Sequence, residues 1–220
     1  MPYLPMPKTD DEAYAKNTKE QYEALGHFVH SFEWMVNEVR EICIERVCSG
    51  IGSSERQQLV EISFHHQAMT AKPLFDIMRA IIAEIVNIET SPYYAERTIF
   101  RDLLTHIEKE YSSLYWKRND LLHGTWLIGY VGDDDPNASQ FDVRKYKTTA
   151  DGLKRATKLP KNAIELLDLA ARCDDTRTWL GHVDFCLQEK ISIADYFKID
   201  GQEWKLFLSP TSVGTTLPQK

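Results

Sequence analysis

The segment Phe100–His123, FRDLLTHIEKEYSSLYWKRNDLLH, predicts the fold because its apolar residues recur at intervals of three and four. That spacing is typical of an α-helix that buries one face. Ser91 and Pro92 match an N-cap followed by the first helical position, so we expect the helix to begin there. The predicted apolar stripe contains Phe100, Leu104, Ile107, Tyr111, Leu114, position 118 and then Leu121 or Leu122.

Helical spacing also covers most of the remaining chain. Pro73 is expected to kink or divide the second helix, and the segment CDDTRT, 173–178, is expected to break the last helical region in two. About five helices follow, which makes an all-α antiparallel bundle the predicted fold class. The further helical runs are 11–47, 55–88, a run through Ile164, Leu167, Ala170 and Cys173, and a run through Leu180, Val183 and Leu187.

The pattern changes after Gly124. The segments TWLIGYV and FDVRKYKTT flank the polar stretch GDDDPNASQ, which predicts a small β-hairpin over about 125–149, inserted after the long helix. Residues 1–11 and 209–220 are rich in proline or polar residues and are expected to be flexible tails. One helical domain, 12–208, is predicted between them.

Composition restricts the class of protein. Apolar residues make up 43% and charged residues 27%, which is typical of a soluble globular domain, and the net charge of −7 disfavours polyanion binding over the whole surface. We expect neither a signal peptide nor a membrane span. The four cysteines Cys43, Cys48, Cys173 and Cys186 lack CxxC spacing, so reduced thiols and a cytoplasmic location are expected.

No metal or cofactor is expected. His27 and His30, and the neighbouring His65 and His66, lack carboxylates or cysteines at ligand spacing. The chain also lacks the glycine-rich motifs of nucleotide-binding proteins and the serine elbow of esterases.

Arg118 is the unusual residue of the long helix, because it occupies the apolar stripe. A buried guanidinium is costly unless an anion meets it. Asn119 and His123 share one flank, where the amide could set the imidazole tautomer, but Arg118 lies about 140° around the helix from His123. If two copies of the helix were related by a two-fold axis, Arg118 and His123 from each copy would line one common cleft.

The spacing Arg-x4-His alone is weak, since it occurs three times in the chain. Arg101 and His106 both fall off the stripe and are expected on a solvated face. Arg177 with His182 is judged incidental, because Thr178 is a weaker polar neighbour than an amide.

The segment R118-N-D-L-L-H123 resembles the defining motif of the HEPN superfamily: arginine, then Asn, Asp or His, three further residues, and histidine, late in a helical bundle. Gly124 and Trp126 also resemble bacterial members. This superfamily of small helical domains includes metal-independent ribonucleases of toxin–antitoxin, phage-defence and CRISPR systems. One branch, controlled by a nucleotidyltransferase antitoxin, carries a tyrosine two residues after the histidine, where this chain has Thr125, which disfavours that form of control.

The resemblance implies a homodimeric endoribonuclease with a composite active site. The ribose 2′-OH would attack the adjacent phosphorus, leaving a cyclic phosphate and a free 5′-OH. His123 would act as general acid or base, Arg118 would clamp the phosphate, and Asn119 would orient the histidine or bind a phosphate oxygen. The resemblance also implies two partners. These are RNA and, in a toxin–antitoxin or stress setting, an antitoxin protein.

An alternative explanation of Arg118 is structural. The arginine would form a buried ion pair with an acidic residue of another helix, such as Glu38 or Glu84, while His123 would merely end its helix. The chain would then be a non-catalytic HEPN-like binding or scaffold protein.

The segment 144–161, RKYKTTADGLKRATKLPK, is strongly basic, with seven basic residues and one acid. It could guide an RNA backbone towards the site, with Tyr146 stacking on a base. A solvated hairpin and loop is the other explanation. The candidate RNA-binding residues are Arg144, Lys145, Tyr146, Lys147, Lys154 and Arg155.

Overall fold

A computed structural model describes residues 11–48, 51–52, 55, 70–123, 125–127, 142–144, 146–149, 152–155, 160, 162–200 and 203–207. Most of these residues are helical, as predicted. The predicted tails, 1–11 and 209–220, fall almost wholly outside this part of the chain. The α-helices are α1 (Asp11–Val47), α2 (Ala71–Asn87), α3 (Arg97–Leu122) and α4 (Ala163–Glu189), and short 3-10 helices span Tyr94–Glu96 and Ile193–Asp195.

Three antiparallel strand pairs accompany the helices. The predicted hairpin is found in the pairing of β1 with β2, where Trp126 lies opposite Val143. The segment FDVRKYKTT is not one strand, because it divides into β2 and β3, and β3 pairs with β4. Neither β4 nor the pair of β5 with β6 is predicted by the sequence pattern. The strands are β1 (Thr125–Leu127), β2 (Asp142–Arg144), β3 (Tyr146–Thr149), β4 (Gly152–Arg155), β5 (Phe197–Asp200) and β6 (Glu203–Leu206).

The chain divides into two compact units. The first comprises Met1–Glu33 and Ser113–Asp174, and the second comprises Trp34–Ser112 and Asp175–Lys220. Helices α1, α3 and α4 each contribute a segment to both units. The predicted single domain, 12–208, stays a prediction.

In the first unit, apolar side chains of α1 form much of the described core. The rings of Phe28 and Phe32 meet edge to face with centroids 6.4 Å apart, and both are buried. Ser31 Oγ donates a hydrogen bond to Asp174 Oδ2 of α4 over 3.3 Å. Further buried apolar residues are Ala24, Leu114, Leu121, Leu166, Leu169, Ala170 and Cys173. The predicted stripe of α3 therefore continues to Leu121, since Leu122 is exposed.

In the second unit, two buried tyrosines link helices through their hydroxyl groups. Tyr111 donates to the Ala71 carbonyl oxygen over 3.0 Å, and its ring lies 4.6 Å from that of Phe75. The Tyr93 hydroxyl lies 2.9 Å from the Leu187 carbonyl oxygen and 3.0 Å from that of Cys186. Because the last carbonyls of a helix lack partners within it, Tyr93 serves as a side-chain cap for α4.

The start of α3 differs from the prediction. The α-helix begins at Arg97, and Ser91 and Pro92 lie in a turn before the 3-10 helix. Ser91 does act as a local cap, because its Oγ accepts from the Tyr93 amide over 3.3 Å and its carbonyl accepts from the Tyr94 amide over 3.1 Å. Those bonds stabilise a tight turn instead of a first α-helical turn.

The predicted break at 173–178 is wrong, because α4 runs through it without interruption. This segment contains no glycine or proline. Its other weak helix formers lower helix stability only slightly, so tertiary contacts keep the segment helical. Asp174 accepts the bond from Ser31 within the first unit, and Thr176 is buried within the second. The predicted apolar face is also partly wrong: Ile164 and Leu167 are 77% and 46% exposed, which puts Leu166 and Leu169 in the core instead.

The predicted helical run 55–88 is divided next to Pro73, because Thr70 is an extended N-cap residue and α2 begins at Ala71. Pro73 is the third residue of α2, in the first turn, where backbone N–H groups have no partner within the helix. The Leu74 amide bonds to the Thr70 carbonyl and starts the helical ladder. The rest of the predicted second helix, 56–69, lies outside the described residues, as does Ser54.

Candidate active site at the end of helix α3

The motif residues lie at the C-terminal end of α3. Arg118 and Asn119 belong to its last turns, and His123 follows directly after its last residue. The His123 amide donates to the Asn119 carbonyl oxygen over 3.1 Å, so the backbone at the histidine still follows the helix. The His123 side chain is exposed, while Arg118 and Asn119 are half-buried.

The anion that meets Arg118 within the chain is a carboxylate of α1. Arg118 Nη2 donates to Glu33 Oε1 over 2.9 Å. The structural alternative named Glu38 or Glu84, and neither is this partner. Glu33 was missed because no pattern in a single sequence connects a residue of α1 with one of α3.

The Arg118–Glu33 pair is open to solvent. The Arg118 side chain is 28% exposed and the Glu33 side chain 52% exposed. Ion pairs at such positions contribute about 0 to 1 kcal/mol, because water screens the charges and ordering the side chains costs entropy. The expectation of a deeply buried arginine is therefore too strong, and the ion pair is weak enough to be exchanged.

Two further contacts of the guanidinium involve described residues. Its Nη1 donates to Asn119 Oδ1 over 3.3 Å, and its central carbon lies 5.7 Å from the ring centroid of Phe32. The buried Nε has no hydrogen-bond partner.

The structure thus brings two of the three motif residues together. The amide oxygen of Asn119 accepts from Arg118, which links the asparagine to the arginine. His123 stands one turn further along, about 140° around the helix from Arg118.

Trp116 is a second residue that the sequence analysis missed. It precedes His123 by seven residues, which puts the two side chains about 20° apart around α3 and about 10 Å apart along it. The Trp116 side chain is 61% exposed, and the Tyr115 ring meets it edge to face at 5.2 Å. The signal was available, because residues seven apart lie on the same face of a helix.

Of the other two Arg-x4-His pairs, the one at Arg101 differs from the motif, whereas Arg177 resembles Arg118 in lying beside an aromatic ring and in having a buried Nε without a partner among the described residues. Arg101 is 67% exposed and pairs with Asp102, as expected for a solvated face. His106 departs from that expectation, because it stacks on Trp179 with ring centroids 5.4 Å apart.

The third pair lies in the second unit. The Arg177 guanidinium carbon is 5.1 Å from the ring centroid of Trp34. His182 Nδ1 lies 2.8 Å from the Thr178 carbonyl oxygen, and since a carbonyl only accepts, this nitrogen carries the proton and donates it.

The candidate RNA-binding residues Arg144, Tyr146, Lys147, Lys154 and Arg155 are described through their backbone alone, and Lys145 lies outside the described residues. Strand register sets Tyr146 opposite Arg155 and Lys147 opposite Lys154. The basic residues of β3 and β4 are therefore neighbours in one two-stranded sheet.

Two searches of the described part of the chain were negative. No group of three or more His, Cys, Asp or Glu residues there is arranged to hold a metal ion. No helix there is sufficiently long and apolar to cross a membrane. Comparison with protein-family models, with curated proteins and with solved structures finds no match for this chain.

Proposed function

We propose that this chain is a metal-independent endoribonuclease of HEPN type that acts as a homodimer in a defence, toxin–antitoxin or stress setting. The observation that carries the proposal is the state of Arg118: a partly exposed arginine, within the motif R118-N-D-L-L-H123, whose carboxylate partner among the described residues is weakly bound. The antiparallel bundle of about five helices, predicted from the spacing of apolar residues, belongs to the same proposal.

The proposed reaction needs two proton transfers and one charge stabiliser. The ribose 2′ oxygen forms a bond to the adjacent phosphorus and gives its proton to a base, while the bond from phosphorus to the 5′ oxygen breaks and that oxygen takes a proton from an acid. The products are a cyclic phosphate and a free 5′-OH. Arg118 would stabilise the charge on the phosphate oxygens.

The exposed imidazole of His123, supplied once by each copy, suits this chemistry in a dimer. A histidine titrates near neutral pH, so it can serve as either base or acid. His123 from one copy would accept the 2′ proton, and His123 from the other would protonate the leaving oxygen. Trp116, on the flank of His123, would offer a surface on which an RNA base stacks.

Cleavage of total RNA by purified protein tests the proposal. The wild-type protein should leave cyclic-phosphate ends without added metal, and His123→Ala should reduce the rate at least about a hundredfold. Arg101→Ala is the matched control, because Arg101 belongs to the same helix and the same spacing but is exposed. Absence of cleavage by the wild type, or equal rates for the wild type and His123→Ala, would refute the proposal.

The ion pair with Glu33 favours a second candidate function, a non-catalytic helical binding or scaffold protein. In that case Arg118 simply connects α1 with α3. The scaffold function predicts no RNA cleavage by the wild type, and no change in any RNA measurement when His123 is replaced.

A further inference from the structure

Glu33 presents a carboxylate oxygen at the place where an anionic ligand of Arg118 would bind. The Nη2–Oε1 distance of 2.9 Å is that of a charge-assisted hydrogen bond, and phosphate oxygens accept hydrogen bonds from the same N–H donors with similar geometry. Phe32 lies beside the guanidinium, and the buried Nε has no partner. Within the described residues, Nη2 is therefore the guanidinium nitrogen that holds an anion, and Glu33 is that anion.

We propose that Glu33 is the resident counter-ion of Arg118 and that an RNA phosphate displaces it. This inference rests on the proposed ribonuclease function, and it names the group that limits substrate binding at that site. A phosphate and a carboxylate on one guanidinium repel each other, so both cannot be held at full strength. Moving the Glu33 carboxylate away from Arg118 costs little free energy, since its side chain is 52% exposed and water can solvate the displaced carboxylate.

Because an RNA phosphate replaces the Glu33 carboxylate on Arg118, Glu33 lowers the affinity for RNA and is not a structural ion-pair partner. A residue that positions Arg118 for catalysis would weaken RNA binding when it is removed. A competing anion would strengthen RNA binding when it is removed. The sign of the effect of neutralising Glu33 therefore distinguishes the two roles.

The experiment measures binding of a short 2′-O-methyl oligoribonucleotide, which cannot be cleaved because it lacks the attacking hydroxyl. Glu33→Gln, which keeps the side-chain shape, should bind this probe about fivefold more tightly than the wild type, matching the loss of one surface ion pair. Glu20→Gln is the control, because Glu20 is an exposed acid of the same helix and unit and its replacement makes the same change in net charge.

A double variant makes the test specific to the contact. In the Arg118→Ala background, Glu33→Gln should give no more gain than Glu20→Gln, since the competition no longer exists. Glu33→Asp, whose shorter side chain draws the carboxylate back, should give a smaller gain than Glu33→Gln. Thermal denaturation verifies that every variant is folded before it is compared.

The outcomes separate this inference from the proposed function. If the wild type cleaves all-ribose RNA but Glu33→Gln binds no more tightly than Glu20→Gln, the counter-ion role is rejected and the ribonuclease stands. If no variant cleaves RNA and the gain still depends on Arg118, the ribonuclease is rejected and Glu33 remains the counter-ion of an anion site. A gain that persists without Arg118 also rejects the counter-ion role.

Discussion

Arg118 of α3 and Glu33 of α1 are joined by a single hydrogen bond of 2.9 Å between Nη2 and Oε1, within the first compact unit. The sequence predicts an anion near Arg118, and the carboxylate of Glu33, which is also accessible to water, is that anion within the chain. Arg118 therefore differs from an arginine in a buried structural ion pair. Removing one partner of a buried pair lowers the stability of a protein by several kcal/mol. The predictions below follow from that difference and from the contacts around the site.

Subunit mixing tests the composite active site. Arg118→Ala and His123→Ala should each be inactive, because their homodimers lack one residue type altogether. Mixed and reassembled, about half of the dimers should be heterodimers that hold one Arg118 and one His123. RNA cleavage should return only in small part, because a single imidazole serves as base or acid and water must replace the other. If equal amounts of the two variants, after unfolding and refolding together, stay as inactive as each alone, the site does not draw on two subunits.

Trp116 provides a second test of the RNA site. Trp116→Ala should weaken binding of the 2′-O-methyl oligoribonucleotide about tenfold, because a base loses its stacking surface. Trp116→Phe should keep much of the affinity, since a phenyl ring still stacks. Equal affinities of the wild type and Trp116→Ala would exclude this role, and Trp34→Ala, at a similarly exposed tryptophan of the second unit, controls for the loss of any surface ring.

Tyr93 is expected to stabilise the end of α4. Tyr93→Phe should lower the free energy of unfolding by about 1–2 kcal/mol, because the Leu187 carbonyl loses its hydrogen bond in a buried position. Urea denaturation measures the change. The neighbouring Tyr94→Phe removes the same hydroxyl from a partly exposed ring and should change stability by less than about 0.5 kcal/mol. Similar losses in both variants would contradict the capping role.

Alkaline pH should destabilise the fold through two thiols. Burial raises the pKa of Cys43 from 9.0 to about 12, and burial, followed by the charges of Glu96 and Asp195, raises the pKa of Cys186 to about 12. Above about pH 9 the thiols of the unfolded chain ionise while the folded thiols stay protonated. The unfolded chain then binds fewer protons, so stability falls as pH rises.

Each of these thiols contributes up to about 1.4 kcal/mol per pH unit to that decline. Urea denaturation at several pH values between about 9 and 10 measures the slope. Cys43→Ala and Cys186→Ala should each flatten it, whatever they do to stability at pH 7. A slope that neither replacement changes would show that these thiols do not ionise on unfolding.

Much of the helical layout could be predicted because it depends on spacing along the chain. The stripe from Phe100 to Leu114 is buried as expected, and the predicted helical run 11–47 is helical throughout. Ends and interruptions were predicted less well. Ser91 caps a turn instead of α3, and 173–178 stays helical, because local preferences of about 1 kcal/mol yield to contacts between distant segments.

The residues of the candidate site, like the elements of the fold, could be predicted only in part from the sequence. Arg118, Asn119 and His123 could be named from their order in one helix, and their separation around that helix follows from its period. Glu33 could not, because it is 85 positions away from Arg118 and only folding brings the two together. The exposure of Trp116 likewise depends on which face of α3 the rest of the chain covers.

By itself the sequence determined the long helices, the place of Arg118 on the apolar face of one of them and the motif around it, since helix formation and periodicity are local. Only the tertiary structure decided that Glu33 is the anion on Arg118, that the pair lies open to water and that α4 is continuous. The physical reason is that ion pairing and burial depend on distances through space, and spacing along a chain sets such distances only within one element of secondary structure.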